Sequence, residues 1–451
     1  MEKKSCGSSK ALEQGKLPGL KPGVSTRWHN LAMDSHAGHE CPWRAAGPLT
    51  KDFVTSRHLN ILMISHIRRY RTHTRSHALA KYLVQRGHNV TLVVTADRRK
   101  IGIVESNWDG VRTVETPDLL WGRFRSGWDL WNLLNRAIFL ARDKTSFDLI
   151  HCFETRPATI YPALFYSRHH KIPLMTDWND WWGRGGIIDE LRPKWYRFLF
   201  GAIETYYEEA FRRRGLGLTV ISSALAQRAI SLGVPAEHIC HLPGGSYPDV
   251  FLPRQKAACC KHVGMPFSSP TIGYSAMDNH LDFDIVLQAL SIVVKRFPSV
   301  KLIVTGKQDN SLTEQAKVFG LENHLHITGF LPYEELPWYL GCADLFVLPF
   351  PNKIYNVGRW PAKIGDYMSL GRPTVSNPVG DVKSLFENYE IGLLADADPK
   401  DYAEKIIFLL DHPHTAHRLG ENARNLAMTT YDWKIITQRL EEFYYKLLDT
   451  I

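Results

Sequence analysis

The spacing of hydrophobic positions predicts short buried strands that alternate with amphipathic helices. The apolar run Leu59–Ser65 is typical of a strand in a parallel sheet, and Ser76–Gly87 follows with helical spacing that ends at a glycine. His88–Ala96 is the next apolar run, which completes a strand–helix–strand unit. The pattern then predicts a helical stretch at Pro193–Arg214 and further strands at Asp148–Phe153, Pro173–Asp177, Leu218–Ser222 and His238–Leu242.

A second series of the same kind begins near residue 271. Its predicted strands are Thr271–Ser275, Val300–Gly306, His324–Gly329, Asp344–Phe350, Pro373–Asn377 and Gly392–Ala395. Its predicted helices are Asp282–Arg296, Pro361–Leu370, Pro399–Leu410, Pro413–Met428 and a last amphipathic one at Trp433–Leu448. We therefore predict an α/β protein with two doubly wound, Rossmann-like domains in tandem.

The composition of the segments between these series sets the predicted domain limits. Residues 1–56 lack helical or strand periodicity, so we expect a disordered tail. The first domain is predicted at 57–246 and a proline-rich linker at 247–270. The second domain is predicted at 271–430, and a C-terminal helix at 431–451.

The overall composition is ordinary for a globular protein of 451 residues, with 44% hydrophobic and 22% charged residues. No apolar run approaches the ~20 residues of a membrane-spanning helix. No apolar stretch follows Lys3 and Lys4, so we predict no secretory signal. The seven cysteines have no regular spacing, which favours reduced thiols in the cytoplasm. In the tail, His36, His39 and Cys41 fall short of the four ligands a zinc site needs, and we predict no metal.

Positive charge is concentrated near the first strand–helix–strand unit. Residues 57–100 hold ten Lys or Arg and one acidic residue, a local excess equal to the net charge of +9 of the whole chain. An anionic partner is expected there, and nucleotide phosphate, anionic lipid and nucleic acid all satisfy the charge. We predict no nucleic acid partner, because no helix-turn-helix, zinc-finger or single-strand-binding motif is present. A dehydrogenase is disfavoured because no strand leads into GxGxxG.

Several longer motifs follow one another along the chain. They are NILMIS (60–65), LAKYLVQRGHNVTLVVT (79–95), FDLIHCF (147–153), VISSALAQRAISLGVPAEHICHLPGG (220–245), TGFLPYEELPWYLGCADLFVLPF (328–350), GRWPAKIGDYMSLGRPTVSN (358–377) and GLLADADPKDYAEKI (392–406). In this order they resemble the family-4 retaining glycosyltransferases of GT-B fold. The resemblance implies two Rossmann-like domains facing across a cleft. It implies a nucleotide-diphosphate sugar on the second domain, a hydroxyl acceptor on the first, and a last helix that crosses back to the first domain. It also implies transfer with retention of configuration, with no metal or other cofactor.

The predicted donor site lies at the carboxyl ends of the second domain's strands, where open α/β sheets bind ligands. Gly306 and Lys307 follow one such strand. Pro361 is expected to start a helix, with Arg359 and Lys363 on either side, so that two cations and free N–H groups converge on a diphosphate. The alternative is that the two cations form surface ion pairs.

Two positions depart from the family pattern of paired glutamates. Asp366 matches the second glutamate and can still accept hydrogen bonds from ribose hydroxyls. The first glutamate, which the resemblance places on the sugar, falls on Gly358. Segment 275–281 also lacks the family's arginine and lysine.

The loop after the first strand is a second source of positive charge. It carries four arginines and three histidines in HIRRYRTHTRSH (66–77). We expect Arg68, Arg71 or Arg75 to replace the missing cations at the diphosphate. Two other interpretations stay open, namely that these arginines coat an exposed helix start or that they face an anionic membrane.

The acceptor side is predicted at TDWNDWWGRGG (176–186), which follows another strand. Asp177 and Asp180 are the candidate catalytic residues, because a carboxylate can orient an acceptor hydroxyl or take its proton. Either aspartate could instead cap the following turn. The segment also holds three tryptophans, which form platforms for sugars or pack in cores: Trp178, Trp181 and Trp182.

The sequence thus favours a cytoplasmic glycosyltransferase acting on a glycan, a lipid-linked sugar or a small hydroxyl compound. The alternative is a non-catalytic nucleotide- or glycan-binding protein on the same fold. The basic, aromatic run Lys194–Phe200 suits a peripheral contact with the inner membrane face, but equally suits packing between helices.

Overall fold

The protein forms two mostly parallel sheets with helices packed on both faces, each sheet belonging to one half of the chain. The computed structural model describes residues 57–68, 74–97, 99–119, 126–266, 268–275, 282–307 and 310–451. The predicted tail and segment 276–281 lie outside the described residues.

The first sheet has the strand order β3-β4-β2-β1-β5-β6-β7-β8. Its strands are β1 (Asn60–Arg68), β2 (Asn89–Thr95), β3 (Val104–Trp108), β4 (Val111–Thr116), β5 (Leu149–Phe153), β6 (Leu174–Trp178), β7 (Gly217–Val220) and β8 (Ile239–His241). Its helices are α1 (Arg75–Gln85), α2 (Leu130–Arg142), α3 (Pro157–His170), α4 (Ile187–Leu191), α5 (Lys194–Glu209) and α6 (Ser223–Ser231). In the middle of the sheet, Leu62 of β1 lies opposite Thr91 of β2 and Ile150 of β5.

The second sheet has the order β11-β10-β9-β12-β13-β14. Its strands are β9 (Thr271–Ser275), β10 (Lys301–Thr305), β11 (Leu325–Gly329), β12 (Leu345–Leu348), β13 (Thr374–Ser376) and β14 (Gly392–Leu394). The helices from residue 256 onward are α7 (Lys256–Val263), α8 (Asp284–Arg296), α9 (Asn310–Val318), α10 (Leu336–Gly341), α11 (Ile354–Val357), α12 (Lys363–Ser369), α13 (Gly380–Tyr389), α14 (Pro399–Asp411), α15 (Pro413–Thr429) and α16 (Trp433–Leu448).

Three local features of the structure differ from the elements that the hydrophobic pattern predicted. The antiparallel hairpin β3–β4 was not predicted, although Asp109–Gly110 between its strands is a strong hairpin signal, and both residues have positive φ (53° and 83°). Helix α7 occupies part of the predicted linker. Helix α12 begins at Lys363, two residues after Pro361, and is only 7 residues long.

The order of the strands reverses at one place in each sheet. The chain moves outward from β9 to β11 and then returns to β12 on the other side of β9. In the first sheet the same reversal occurs between β1 and β5. The carboxyl ends of the strands on either side of such a reversal leave a crevice, which is the usual ligand position in open α/β sheets.

The last helix, α16, fastens the end of the chain to the first domain by packing against α1. It begins at Asp432, whose carboxylate accepts a hydrogen bond from the Lys434 N–H (2.9 Å). Further along, Glu441 accepts from Arg86 and lies 2.7 Å from the His88 ring nitrogen. Burial raises the pKa of Glu441, but the hydrogen bonds from His88 and Arg86 outweigh it and hold the pKa below its usual value.

We expect Glu441→Gln to lower the free energy of unfolding by about 1–3 kcal/mol, because it leaves the buried His88 and the partly exposed Arg86 without a charged acceptor. A depressed carboxyl pKa stabilises the fold above the pKa of the unfolded chain, and that stability is lost as the pH falls through the folded value. Urea unfolding at pH 7 and pH 4 should therefore show the variant's deficit shrinking at pH 4. Glu442→Gln, on the exposed side of the same helix, is the control; equal losses in both variants would contradict this role for Glu441.

Candidate active site

Two cations and several aromatic rings lie at or after the carboxyl ends of the neighbouring strands β9 and β12. Tyr274 lies at the end of β9, and Phe350 follows β12; both side chains are buried. Arg359 and Lys363 follow on the same chain segment after β12. The parallel sheet brings these residues together because the carboxyl ends of its strands share one edge.

Lys363 and Asp366 lie on α12, where their opposite charges interact and both groups are poorly solvated. Both are half-buried, and the Lys363 ammonium lies 4.0 Å from the centre of the Tyr274 ring. Burial, with repulsion from Arg359, lowers the pKa of Lys363 to about 7. Burial raises the pKa of Asp366 to about 7, against the opposing effect of Lys363. A cleft with two such perturbed groups is a functional-site candidate.

Arg359 adds a second cation held by aromatic faces. Its guanidinium carbon lies 5.2 Å from the centre of the Phe350 ring and 5.3 Å from that of Tyr355. Its Nε is buried and has no hydrogen-bond acceptor among the described residues. In the described part of the chain, no carboxylate lies within 4.0 Å of either Arg359 or Lys363, so the ion-pair alternative for these cations is not seen there.

The other predicted donor residues lie around this pair. Gly306 adopts φ +118°, and its N–H donates to the Gly329 carbonyl (3.1 Å). Lys307 is exposed at the end of β10, two strand spacings or about 10 Å from β12 across the sheet. Pro361 is buried before α12 rather than at its first turn. Because α12 is short, the side chains of Lys363 and Arg359 carry the site's positive charge more than the helix end does.

Gly358 is a glycine because a tryptophan fills the space beside it. Its φ of −84° suits any residue, so backbone freedom is not the reason. A Cβ at this position would lie 2.7 Å from the Trp181 Cβ and 3.2 Å from its ring. The Gly358 carbonyl also accepts from the Ser222 hydroxyl of the first domain (3.0 Å). Trp181 thus lies against the position of the family's first glutamate.

Trp181 belongs to the tryptophan loop (residues 178–186), which is hydrogen-bonded to side chains of α5. The Glu208 carboxylate accepts from the backbone N–H groups of Trp182 (2.7 Å) and Gly183, and from the Trp178 ring N–H (3.0 Å). Thr205 accepts from the N–H of Arg184 (3.0 Å). The polar face of one helix therefore fixes the loop that meets the second domain at Gly358.

Asp177 and Arg75, which we predicted on opposite sides of the reaction, are paired with each other. The Asp177 carboxylate accepts from Arg75 Nε (3.1 and 3.2 Å) and from the Thr219 hydroxyl, and Asp177 is 1% exposed. Arg75 also donates to the Pro243 carbonyl (3.1 Å). In this arrangement both side chains hold the first domain together, and neither is placed to touch an acceptor or a diphosphate.

Two of the remaining predicted residues, Asp180 and Arg68, lie in the first domain. Asp180 is partly exposed in the tryptophan loop, where its carbonyl accepts from the Trp178 ring N–H (3.0 Å). Arg68 lies 3.5 Å from Asp118 in an ion pair. Arg71 lies outside the described residues. Of the three arginines expected to supply cations, the two that the structure describes are thus engaged inside the first domain.

Sequence reasoning missed the aromatic and acidic neighbours of the donor cations. The Tyr355 hydroxyl donates to Asp282 (2.8 Å), and Asp282 also pairs with Lys353 (2.6 Å). The (i, i+4) spacing of Tyr355 and Arg359 was a usable signal for their contact. No local sequence signal indicated the contact between Trp181 and Gly358, because those residues lie in different domains.

Family comparisons agree with this fold. Residues 72–245 match the model described as "Glycosyl transferase 4-like domain", and residues 271–426 match "Glycosyl transferases group 1". The chain belongs to the family-4-like glycosyltransferases of GT-B fold, as its motifs predicted. It is an enzyme of the class that transfers sugars from nucleotide-sugar donors.

Individual relatives are distant. The chain is 22% identical to alpha-D-kanosaminyltransferase of Streptomyces kanamyceticus, over 72% of this chain and 83% of that protein. It is 24% identical to a GDP-mannose-dependent alpha-(1-6)-phosphatidylinositol monomannoside mannosyltransferase of Mycolicibacterium smegmatis, over 50% of this chain and 61% of that protein. A similar solved fold is Anabaena HepE in complex with UDP and glucose, with a TM-score of 0.63, 15% identity, and coverage of 86% of this chain and 100% of that one.

The contact between Gly358 and Trp181 makes a steric prediction. Gly358→Ala should lower the free energy of unfolding by about 1–3 kcal/mol, because the Trp181 Cβ cannot move away without its backbone. In a Trp181→Ala background, which keeps the Cβ but removes the ring, part of this cost should disappear. A double-mutant cycle by urea unfolding measures the coupling.

Gly201→Ala is the matched control, since its added Cβ would meet nothing closer than Ile188 Cδ1 at 3.8 Å. If Gly358→Ala is as harmless as this control, the close approach of Trp181 does not explain the glycine.

Proposed function

We propose that the crevice between β9 and β12 binds the diphosphate and ribose of a nucleotide-sugar donor. Lys363 and Arg359 would neutralise the diphosphate as it leaves, the step in which negative charge develops. Asp366 would accept hydrogen bonds from the ribose. The observation that carries this proposal is that Lys363 and Arg359 lie over aromatic rings beside the carboxyl ends of β9 and β12, with the buried Arg359 Nε lacking a hydrogen-bond acceptor among the described residues. The pKa shifts of Lys363 and Asp366 agree with it.

We further propose, from the resemblance, that transfer to the acceptor hydroxyl retains the sugar's configuration and needs no metal. Asp180 stays the candidate for orienting the acceptor, because it is partly exposed and lies in the loop that meets the donor domain. The acceptor class we propose is a glycan, a lipid-linked sugar or another hydroxyl compound. One distant relative acts on a phosphatidylinositol mannoside by its name, which favours the lipid-linked class.

A cytoplasmic location is part of the same proposal. The described cysteines are free thiols, namely Cys152, Cys240, Cys259, Cys260 and Cys342. Among the described helices, none has the length and apolar character needed to cross a membrane.

A non-catalytic binding protein is the competing proposal, and Gly358 is the observation that favours it. Where the family places a glutamate on the donor sugar, this chain has no side chain, and Trp181 packs against the position. Such a protein would bind a nucleotide yet leave a nucleotide sugar intact. When UDP-, GDP- or ADP-sugars are incubated with the protein and water takes the place of the acceptor hydroxyl, release of nucleotide diphosphate that Lys363→Ala abolishes would refute the non-catalytic proposal.

Calorimetric titration with UDP, GDP and ADP tests the donor site directly. We expect one nucleotide to bind with micromolar affinity and Lys363→Ala to weaken it at least about tenfold, because a charge-assisted contact is lost. Lys405→Ala, on α14, where this lysine pairs with Asp401 (3.4 Å), removes an equal charge and should leave affinity unchanged. Equal affinity of the two variants would refute the assignment of Lys363.

The lowered pKa of Lys363 predicts that binding takes up a proton. At pH 8 a lysine with a pKa of about 7 is mostly neutral, whereas a bound phosphate favours the ammonium form. Nucleotide binding should therefore take up as much as about 0.9 proton, and affinity should decline as the pH rises above 7. Titration at pH 8 in buffers of different ionisation enthalpy measures this uptake.

Lys363→Arg serves as the comparison, because a guanidinium stays charged and should bind without proton uptake. An enthalpy that does not depend on the buffer in the unsubstituted protein would contradict the prediction.

A further inference from the structure

Helix α5 (Lys194–Glu209) exposes an apolar face and buries a polar one. The residues at i, i+3 and i+4 spacing on its outer face are Trp195 (62% exposed), Phe198 (87%), Leu199 (56%), Ile203 (45%) and Tyr206 (50%). On the opposite face, Glu204, Thr205 and Glu208 are buried. This is the reverse of an ordinary surface helix, whose apolar stripe faces the core.

The tryptophan loop explains the buried polar face, because N–H groups of the loop donate hydrogen bonds to Glu208 and Thr205. The exposed apolar face has no such explanation within the described residues. The sequence left open whether Trp195 and Phe198 pack between helices, and the structure shows them facing outward. A neighbouring helix extends the surface, since Tyr161 of α3 (41% exposed) has its ring centre 5.9 Å from that of Tyr207, and Phe165 lies one turn further on (69%).

The exposed charges at the two ends of α5 are mostly positive, although exposed Asp189 and Glu190 lie just before the helix. Lys194 and Arg197 lie at the start of α5, and exposed Arg213 and Arg214 follow its end. The acidic residues of α5 are withdrawn from the face: Glu204 and Glu208 are buried, and Glu209 pairs with Arg228. Just before α5, Asp189 and Glu190 accept hydrogen bonds from the N–H groups of Gly185 and Ile354.

We propose that this outer face of α5 docks on an anionic lipid surface, with the helix lying in the plane of the headgroups. Aromatic and aliphatic side chains enter the interface, while the cations at both ends of the helix contact lipid phosphates. The helix is about 24 Å long, enough to lie along the surface but too polar on its inner face to cross it.

A second copy of the chain fits this face less well. If two copies paired through α5, their helices would run either parallel or antiparallel. In both cases a basic end of one helix would lie beside a basic end of the other. Like charges would then meet across the interface, which disfavours association. An anionic bilayer complements both ends at once.

Vesicle flotation with the full chain tests the proposal without any donor or acceptor. We expect binding to vesicles of equal parts phosphatidylglycerol and phosphatidylcholine, and at least about tenfold weaker binding to phosphatidylcholine alone. Phe198→Gln combined with Trp195→Gln should reduce binding to the anionic vesicles about tenfold or more. Thermal unfolding should be unchanged, because both side chains are already exposed.

Val318→Gln, at a position 82% exposed on α9, is the matched control and should bind vesicles like the unsubstituted protein. Equal vesicle binding by the control and the double variant would overturn the proposal. So would a dimer in light scattering that the double variant dissociates, because a second copy would then cover the face. The nucleotide titration uses residues of the other domain, so either proposal can fail alone.

Discussion

The ion pair between Arg75 and Asp177 is the interaction on which the first domain's functional edge depends. One guanidinium joins the start of α1 to the end of β6 and to the Pro243 carbonyl, where the chain leaves the domain. Both charges are buried, so removing either partner would leave the other without compensation. The arginine that looked available for a ligand is used to hold the scaffold, so we propose other cations for the donor phosphates.

The cations that we propose for those phosphates belong to the second domain, and aromatic rings lie beside them. Lys363 and Arg359 lie over Tyr274, Phe350 and Tyr355, which exclude water without neutralising charge. Poor solvation lowers the pKa of the lysine and raises that of the neighbouring aspartate.

Helix α5 connects the two proposals of site and surface. Its inner face holds the tryptophan loop, whose Trp181 lies against Gly358 of the donor domain. Its outer face is apolar, with basic ends. Only the tryptophan loop therefore lies between surface helix α5 and Gly358, the position that the resemblance places on the donor sugar.

The sequence by itself determined the alternation of strands and helices, because the period of apolar residues reports burial locally; α16 begins and ends where the pattern placed it. It also placed Lys363 and Asp366 on a helix that follows a buried strand, and its motifs identified the family. It did not show that Arg75 would meet Asp177, 102 positions away, or that Trp181 would exclude a side chain at Gly358. Only the tertiary structure decided these contacts, because they depend on how strands are ordered in the sheet and how two domains meet, and neither leaves a periodic trace in the chain.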